Sequence, residues 1–493
     1  MKILKRIVRS VAKPLARWAS TPYDAVGTHR RVMGWQPDTA AINALLSAAG
    51  DELRNKSRDM DRKNAWARNA ADSFTANAIG TGIVPQSLHP DASVREKIHS
   101  AWKRWTDEAD ANGLTDFYGL QTQACAESQI GGEVFARLRP RRASDGLTVP
   151  LQIQLLPAEF CPATKNEQHG TSLYVRSGIE FNSIGKRVAY HLYREHPQEK
   201  FLMFGGYETR RIDASEVIHL FKPRLAGQQR GEPWLAPVLA LLYDLDKYDS
   251  AELIRKQIAA MMAFFIEDRD GGNPLFQTET EDDDGVPIAG IEPGSVITLP
   301  DGKTIKISEP TDVGGMYVQF MKAQLRKLAA GLGITYEQIS GDLEGVNYSS
   351  IRAGLLEFRR RCEAFQHQVM VFQFCRPIWR AWMEQAALAG VIDYADYRAN
   401  MALYLDVEWR PQAWPWVDPV KDIEAEILAV DNLLKSRTAV IKQTGYDREQ
   451  VDLEIASDQD SEKRNGLERR ATSRAAQAPE ERPSRKGKED AAA

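Results

Sequence analysis

The tripeptide Gly302-Lys303-Thr304 has the residue types most suggestive of catalytic chemistry, because it matches the end of a nucleotide-binding loop. The complete loop needs a glycine five positions before Gly302, and Ile297 stands there. A helix should also follow the loop, so that its N-terminal N–H groups cradle the phosphates. Residues 305–307 (Ile-Lys-Ile) favour a strand instead. The sequence therefore argues against nucleotide binding here.

Other chemical motifs are also incomplete. Gly80-Thr-Gly82 lacks the third glycine of a dinucleotide loop, since Pro85 occupies that place, and is more simply a helix stop. The run Glu281 to Asp284 lacks the alternating ligands of a calcium loop, which favours a solvated acidic loop. His191 and His196 do not have the spacing of a zinc-binding helix. We expect no catalytic residues, no metal site and no cofactor, and favour a structural or assembly protein over an enzyme.

Composition sets broad limits. A chain of 493 residues with 43% hydrophobic content should fold as two to four structural units. The formal net charge of -4 gives no basic excess for gripping phosphates. The longest apolar run, Ile258 to Ile266, is too short to span a membrane. Scattered cysteines without a CxxC pair indicate a reducing compartment; they are Cys125, Cys161, Cys362 and Cys375.

The N-terminus interleaves basic and apolar residues, at least as far as Pro14. This pattern is typical of a basic amphipathic helix, and its charges interrupt the apolar core that a secretory signal requires. A surface helix or flexible basic arm is favoured over membrane attachment.

The first half of the chain changes from helical to strand-like patterning. Helical periodicity covers residues 38–79, with a break expected at Gly50, and predicts shorter helices at 93–108 and 116–129. From 132 to 224, alternation of apolar and polar residues predicts strands, including a hairpin over 178–193. The fold class predicted is α+β.

The second half is mainly helical. Long helices are predicted at 235–266, 315–333 and 350–390, the last kinked at Pro377 and capped by Ser349 or Ser350. A small hairpin is predicted between 295–299 and 304–307, and a packed irregular segment over 403–419. Helices are expected at 420–434 and 447–455, and disorder after Ser457 because the remaining residues are charged.

Three ordered blocks of sequence resemble one protein family. Residues 331–361 (Gly-Leu-Gly-Ile-Thr-Tyr-Glu-Gln-Ile-Ser-Gly-Asp-Leu-Glu-Gly-Val-Asn-Tyr-Ser-Ser-Ile-Arg-Ala-Gly-Leu-Leu-Glu-Phe-Arg-Arg-Arg) closely resemble the lambda-type family of tailed-bacteriophage portal proteins, or head-tail connectors. Residues 55–64 with 80–85 resemble the family's N-terminal block, and 217–221 with 227–237 its middle block.

The resemblance implies a multi-part α+β subunit with a wing, stem helices, a clip and a crown. Such subunits assemble into a ring, here expected to be dodecameric, around a central channel. The implied parts are a basic N-terminal arm (1–34), a wing of helices then strands (35–234), stem helix 1 (235–266), the clip (267–311), stem helix 2 (312–333), the tunnel loop (334–350), a long wing helix (351–390), the crown region (391–456) and a disordered tail (457–493).

The function implied by the resemblance is that of a virion protein at one capsid vertex, assembled in the host cytoplasm. Double-stranded DNA would pass through the ring during packaging and ejection, and terminase, the major capsid protein and head-completion proteins would dock on it. The candidates for the DNA channel are Asn347, Tyr348, Ser349, Ser350, Lys322, Arg326 and Lys327. The candidates for docking are Glu279, Glu281, Asp282, Asp283 and Asp284.

Simpler roles compete with these. Ser349 and Ser350 are more simply helix caps, and the three cations could equally pair with acids of a neighbouring subunit. At the level of the whole chain, one alternative is a capsid scaffold or adaptor, although a mostly helical scaffold would not need strands over 132–224. Another is a DNA-packaging enzyme such as the motor ATPase, against which the incomplete nucleotide loop argues.

Overall fold

The structure is a computed structural model of the chain, and it describes residues 34, 38–169, 172–199, 208–260, 264–268, 303–307, 316–346, 348–414 and 419–467. Helices and antiparallel sheets alternate along these residues, which confirms the predicted mixture of helix and sheet. Except for Gly34, the basic N-terminal arm lies outside the described residues.

The first helices are α1 (Ile42–Lys63) and α2 (Ala65–Ala78). The predicted break at Gly50 is wrong, because Gly50 is buried within α1. One internal glycine costs a helix only about 1 kcal/mol, which packing readily outweighs. The break lies instead at Asn64, whose backbone is extended and whose side chain accepts a hydrogen bond from the Ala67 N–H at 3.0 Å.

Helix α2 ends just before the pair Gly80 and Gly82, as predicted, and strand β1 (Val84–Ser87) follows. Gly82 has a φ of +116°, and a Cβ at this position would lie 2.3 Å from Cδ1 of Tyr118. Helices α3 (Ala92–Thr106) and α4 (Phe117–Ile130) then confirm the two short helices predicted from periodicity.

The middle of the chain forms two antiparallel sheets, a three-stranded sheet ordered β3-β2-β9 and a five-stranded sheet ordered β4-β5-β6-β7-β8. The pairing of β6 with β7 confirms the predicted hairpin. The bounds are Glu133–Pro140 (β2), Leu151–Pro157 (β3), Glu167–His169 (β4), Leu173–Arg176 (β5), Ile179–Asn182 (β6), Arg187–Tyr193 (β7), Thr209–Asp213 (β8) and Val217–Phe221 (β9).

Next come α5 (Leu239–Ala260), β10 (Phe264–Asp268), β11 (Lys303–Ile307) and α6 (Met316–Leu332). The single helix predicted over 235–266 is wrong at its C-terminal end, because β10 pairs antiparallel with β11. An apolar run fits a helix or a strand equally well until its hydrogen-bond partner is known.

The clip prediction falls largely on residues that cannot be described. The predicted partner strand 295–299 and all five docking candidates (Glu279, Glu281, Asp282, Asp283 and Asp284) lie outside the described residues.

After α6 the chain forms a short helix α7 (Tyr336–Ser340) and then α8 (Tyr348–Phe365), a π-helical stretch over Gln366–Cys375 and α9 (Arg376–Leu388). This π-helical stretch immediately precedes Pro377, the position of the predicted kink, and the Arg376 N–H donates to the Val371 carbonyl five residues back. The wider turn makes room for the proline ring, which would clash with the carbonyl four residues back in a regular α-helix.

Helices α10 (Tyr394–Ala399) and α11 (Met401–Leu405) lead into β12 (Val407–Arg410). The irregular segment predicted over 403–419 is therefore wrong in its first half, since β12 pairs antiparallel with β1. Local periodicity does not reveal a pairing across more than 300 residues of chain.

The last helices are α12 (Pro419–Asp431), α13 (Arg437–Gln443) and α14 (Arg448–Asn465). The disorder predicted from residue 457 is wrong as far as Asn465. The Asp447 side chain caps α14, and the basic residues in its last turn interact favourably with the negative end of the helix dipole. These local effects stabilise a helix without a core.

Two apolar cores organise the described residues. The main core joins α2, α3, α4, α6, α8 and α9, and contains Trp102 with ring centroids 5.0 Å from Trp379 and 5.1 Å from Trp382. The second core lies between the two sheets, around Phe135 and Tyr190. The first core contains residues of both α6 and α8, and the segment between these two helices is the candidate site.

Candidate functional site

The segment between α6 and α8 is fastened to α6 by an ion-pair cluster. The Lys322 ammonium lies 3.1 Å from Asp342 Oδ2 and 3.1 Å from Glu344 Oε2. The Tyr336 hydroxyl donates to the same Asp342 oxygen at 2.8 Å, and the Arg326 guanidinium lies over the Tyr336 ring at 5.4 Å. We call these five side chains the loop latch.

The electrostatics of the loop latch favour the ionised carboxylate. The Glu344 backbone N–H, the Tyr336 hydroxyl and the Lys322 ammonium together lower the pKa of Asp342 to about 2. Both acids of this cluster pair with Lys322, and Arg326 contacts the Tyr336 ring. Lys322 and Arg326 therefore both have partners within their own chain.

The turn before the loop latch is built by a capping box. The Thr335 hydroxyl accepts a hydrogen bond from the Gln338 N–H at 3.3 Å, and the Gln338 side chain accepts one from the Thr335 N–H at 2.9 Å. Gly341, with a φ of +68°, ends the helix in the left-handed conformation. This reciprocal capping fixes a single turn of helix that would be marginal alone.

Helix α2 holds this turn in place from the opposite side. The Asn69 side-chain amide donates to the carbonyls of Gln338 and Ile339 at 2.8 and 3.0 Å. Ile334 and Ile339 are both buried in the main core. The turn is thus fixed by both hydrogen bonds and apolar contacts, whereas Leu343 beyond it is exposed.

Two of the three sequence blocks, 227–237 and 331–361, meet at Trp234. Its indole N–H donates to the Leu332 carbonyl at 3.1 Å, at the end of α6. Its ring packs on Phe74 of α2 at 5.3 Å, and Phe74 in turn contacts Phe358 of α8 at 6.3 Å. The blocks therefore build one junction that positions the segment between α6 and α8.

The predicted channel residues have different environments. Asn347 lies outside the described residues, and Tyr348, Ser349 and Ser350 all lie within α8. The prediction that Ser349 or Ser350 caps this helix is wrong, because the helix begins at Tyr348. A serine, threonine, asparagine or aspartate can cap from any position near a helix start, so sequence alone leaves the register open.

The predicted cations also differ from one another. The acids that pair with Lys322 belong to its own chain, whereas the sequence left open a pairing with acids of a neighbouring subunit. Arg326 lies over the Tyr336 ring, and Lys327 is exposed. Lys327 is the cation of the three most available to another molecule.

Sequence reasoning missed a buried charge network between the sheets. Glu133 is fully buried, and Arg230 Nε donates to its Oε1 at 2.7 Å, while the Gly231 N–H donates to its Oε2 at 2.7 Å. His219 Nε2 lies 2.9 Å from the same Oε2. The alternation of apolar and polar residues in β2 predicts that Glu133 lies at the surface, so its burial could not be recognised from the pattern. The arginine of the 227–237 block was the available signal.

Burial and charge act in opposite directions in this network. Burial alone would raise the pKa of Glu133, but the Arg230 charge and the hydrogen bond from His219 hold that pKa well below its usual range. Burial lowers the pKa of His219 to about 4, against the influence of Glu133. At neutral pH the network is an ionised Glu133–Arg230 pair beside a neutral histidine. Its role is to hold the middle block against the sheets.

The described residues offer little for metal or thiol chemistry. Within them, no group of three His, Cys, Asp or Glu side chains could hold a metal ion. The four cysteines are buried and unpaired, and burial raises the pKa of Cys125 and Cys362 to about 12. Of the described helices, none is both long and apolar enough to cross a membrane.

Comparison with known proteins identifies the family. A model of the family described as phage portal protein, lambda family, matches residues 28–366. The chain belongs to this portal protein family. The match covers the junction around Trp234 and the whole segment between α6 and α8. This portal-family chain is thus similar to structural components of phage virions.

Individual portal proteins are similar over most of their length. The chain is 29% identical over 431 residues to a probable portal protein of Halomonas phage phiHAP-1, covering 85% of this chain and 82% of that protein. It is 20% identical over 469 residues to portal protein B of Escherichia phage lambda, covering 85% and 86%.

Among solved structures, a chain from the neck of an empty gene transfer agent particle is similar at a TM-score of 0.43. It is 14% identical, and the match covers 80% of this chain and 93% of that chain.

Proposed function

We propose that this chain is the subunit of a closed ring, expected to be dodecameric, which sits at one capsid vertex of a virion and through which double-stranded DNA is packaged and ejected. Family membership supports the virion role. The observation that carries the ring is the apolar surface of the two stem helices, α5 and α6.

Large apolar side chains on both helices are exposed in the single chain. Leu253 is 59% exposed, Ile254 55%, Val318 55% and Met316 65%. Several large apolar side chains exposed on two paired helices favour a partner surface. A second copy of the same chain provides that surface in a ring, where every subunit has the same two neighbours.

The two stem helices are fixed to each other, so they can present this surface as a unit. The Tyr317 hydroxyl donates to Asp249, and the Tyr248 ring stacks on the Tyr317 ring with centroids 6.2 Å apart. Tyr248 also contacts Phe320 at 5.0 Å.

For the DNA channel we propose the loop end of α6 and the start of α8, with Asn347, Tyr348, Ser349, Ser350 and the three cations as candidates. In the loop latch two carboxylates pair with Lys322 and the Arg326 guanidinium lies over the Tyr336 ring, and the whole chain has a net charge of -4. Few free cations suit a conduit, because each strong phosphate contact would slow the passage of DNA.

We propose that residues 267–311 form the clip, and that its acids Glu279 to Asp284 take part in docking terminase and, later, head-completion proteins. The wing would face the major capsid protein. No stable membrane association is expected, and assembly would take place in the host cytoplasm.

The packing refines the boundaries that we propose for these parts. Ile392, Tyr397 and Tyr404 are buried in the main core, and β12 pairs with β1. We therefore assign residues 391–410 to the wing and begin the crown at α12. The stem helices become α5 and α6 as bounded above.

The assembly test is a charge placed on the stem. Leu253→Glu should shift the purified protein from a large ring to small species in mass photometry, because a buried unpaired carboxylate opposes association. Leu114→Glu is the matched control, since Leu114 is 81% exposed on the turn between α3 and α4. If both variants assemble equally, α5 is not part of the subunit interface.

A further inference from the structure

A pocket opens between the two sheets where their shared apolar core ends. Its volume is about 400 Å³. Leu156, Leu192 and Ile212 line it, and all three belong to the buried cluster between the sheets. A space of this size admits a small ligand or a few side chains of another protein.

Four arginines line the same pocket, and they are Arg137, Arg139, Arg194 and Arg210. Arg137 and Arg139 continue the face of β2 on which Phe135 is buried in the core, because residues two apart in a strand share a face. Arg210 lies opposite Leu192 in the pairing of β7 with β8. Basic groups thus converge at the open end of an apolar core.

These arginines have little compensating charge. Within the described parts of the chain, the one carboxylate within 4.0 Å of them is that of Glu216, at 3.9 Å from Arg137. By contrast, Arg211 and Arg230 of the same region each donate to a glutamate, at 2.9 and 2.7 Å. Among the described residues, Arg139, Arg194 and Arg210 of the pocket have no carboxylate within 4.0 Å, and Arg137 has only the long contact with Glu216.

The hydrogen bonds of the pocket arginines are also incomplete. Arg137 Nε is buried without a partner among the described residues, while Arg139 donates to Gln154 at 2.9 Å. Burial, and after it the charges of Arg137 and Arg141, lower the pKa of Arg139. An anion in the pocket would accept hydrogen bonds from the free N–H groups and reduce the electrostatic repulsion between the guanidinium groups.

We propose that this pocket binds a peptide segment of a partner protein that presents an acidic side chain next to a large apolar one. The carboxylate pairs with the arginines, for which planar bidentate pairing is favourable. The apolar side chain covers Leu156, Leu192 and Ile212. All the residues that line the pocket belong to one chain.

Duplex DNA suits the pocket less well. Its phosphates lie along the outside of a wide cylinder, whereas these arginines surround a recess between sheets. The apolar lining also offers nothing to a phosphate. A carboxylate with an apolar neighbour uses both parts of the pocket.

The test is fluorescence anisotropy with the full chain and a panel of labelled short peptides, in which Asp or Glu adjoins Leu, Ile, Phe or Trp. At least one such peptide should bind, and its Asn or Gln counterpart should bind about tenfold more weakly, as expected for loss of one charged hydrogen-bond pair. Arg210→Gln and Arg194→Gln, at exposed positions, should each weaken binding to a similar degree.

Arg176→Gln is the matched control and should bind as the unchanged chain does, because Arg176 lies over the Tyr174 ring and does not line the pocket. Thermal unfolding of each variant checks the fold. A duplex DNA oligonucleotide or inorganic phosphate that competes as well as the peptide would overturn the proposal in favour of a phosphate site. Failure of the whole panel, or equal binding by the amide peptides, would also overturn it.

Discussion

At the residue scale, Glu133 is the most constrained charge in the described chain. Its carboxylate is buried between Arg230 and His219 and also accepts a backbone N–H. A second Glu–Arg–His group in the same region, Glu180 with Arg211 and His191, differs in that the Arg211 side chain is 51% exposed. Because both groups contain a glutamate, an arginine and a histidine, comparing them tests how burial of the arginine affects stability.

Glu133→Gln should lower the free energy of unfolding by about 3–5 kcal/mol, because it leaves the Arg230 guanidinium buried without a counterion. Glu180→Gln should have a clearly smaller effect, since water can solvate Arg211. Urea denaturation measures both values. Equal losses in the two variants would show that burial of the arginine does not decide the stability.

His219 should make stability depend on pH. Burial lowers its pKa from 6.5 to about 4, and its Nδ1 has no hydrogen-bond partner among the described residues. A folded-state pKa below the unfolded value gives stability that is present above pH 6.5 and is lost as pH falls towards 4. The loss should be on the order of 2 kcal/mol.

His219→Gln should reduce this slope, because glutamine can still donate to Glu133 but does not titrate. Urea denaturation between the two pH values measures the difference, with the exposed His367→Gln as the control. An unchanged slope in His219→Gln would assign the acid sensitivity to other groups.

Sequence predicts such residues only in part. The helical period placed Lys322 on a polar face, and it does lie there, but its partners come from a loop whose path no periodicity defines. Glu133 lies on the same face of β2 as the buried Phe135, and it is stabilised there as a carboxylate by Arg230, which comes from a distant segment of the chain. Contacts between distant segments are the missing information in both cases.

At the element scale, the loop latch fastens the segment between α6 and α8. Lys322→Met should accelerate amide hydrogen exchange over residues 341–346 roughly tenfold, since local opening then breaks fewer contacts. Global stability should change little. Because the pKa of Asp342 is lowered to about 2, the latch should persist at all pH values above about 4 and loosen as pH falls through 2.

Lys327→Met on the same helix is the control, as Lys327 is exposed and lies outside the loop latch. Mass spectrometry after exchange resolves the peptide concerned. The same exchange rate in both variants would mean that Lys322 does not hold the loop.

Elements defined by local patterns were predicted well, as α3, α4 and α6 illustrate. Elements defined by remote pairing were not. β10 was predicted as helix because its partner β11 comes more than 30 residues later in the sequence, and β1 was missed because β12 comes more than 300 residues later. The prediction of α14 ended too early, because the charged composition after residue 457 shows only that this segment cannot form a hydrophobic core. A capped helix can form there without one.

At the scale of the whole molecule, two of the blocks that resemble portal proteins, 227–237 and 331–361, meet at the junction around Trp234, where Phe74 of α2 packs on the Trp234 ring. This junction ties α6 to α2 and α8. A load applied along α6 would therefore pass into the main core. The exposed apolar side chains of α5 and α6 then remain for contacts between subunits.

Electron microscopy of the purified full-length protein tests the central claim most directly. We expect rings with an axial hole and a single rotational symmetry of about twelvefold, with α5 and α6 at the contacts between subunits. Monomers, filaments or compact particles without a hole would contradict the proposal that this portal-family chain forms a DNA conduit.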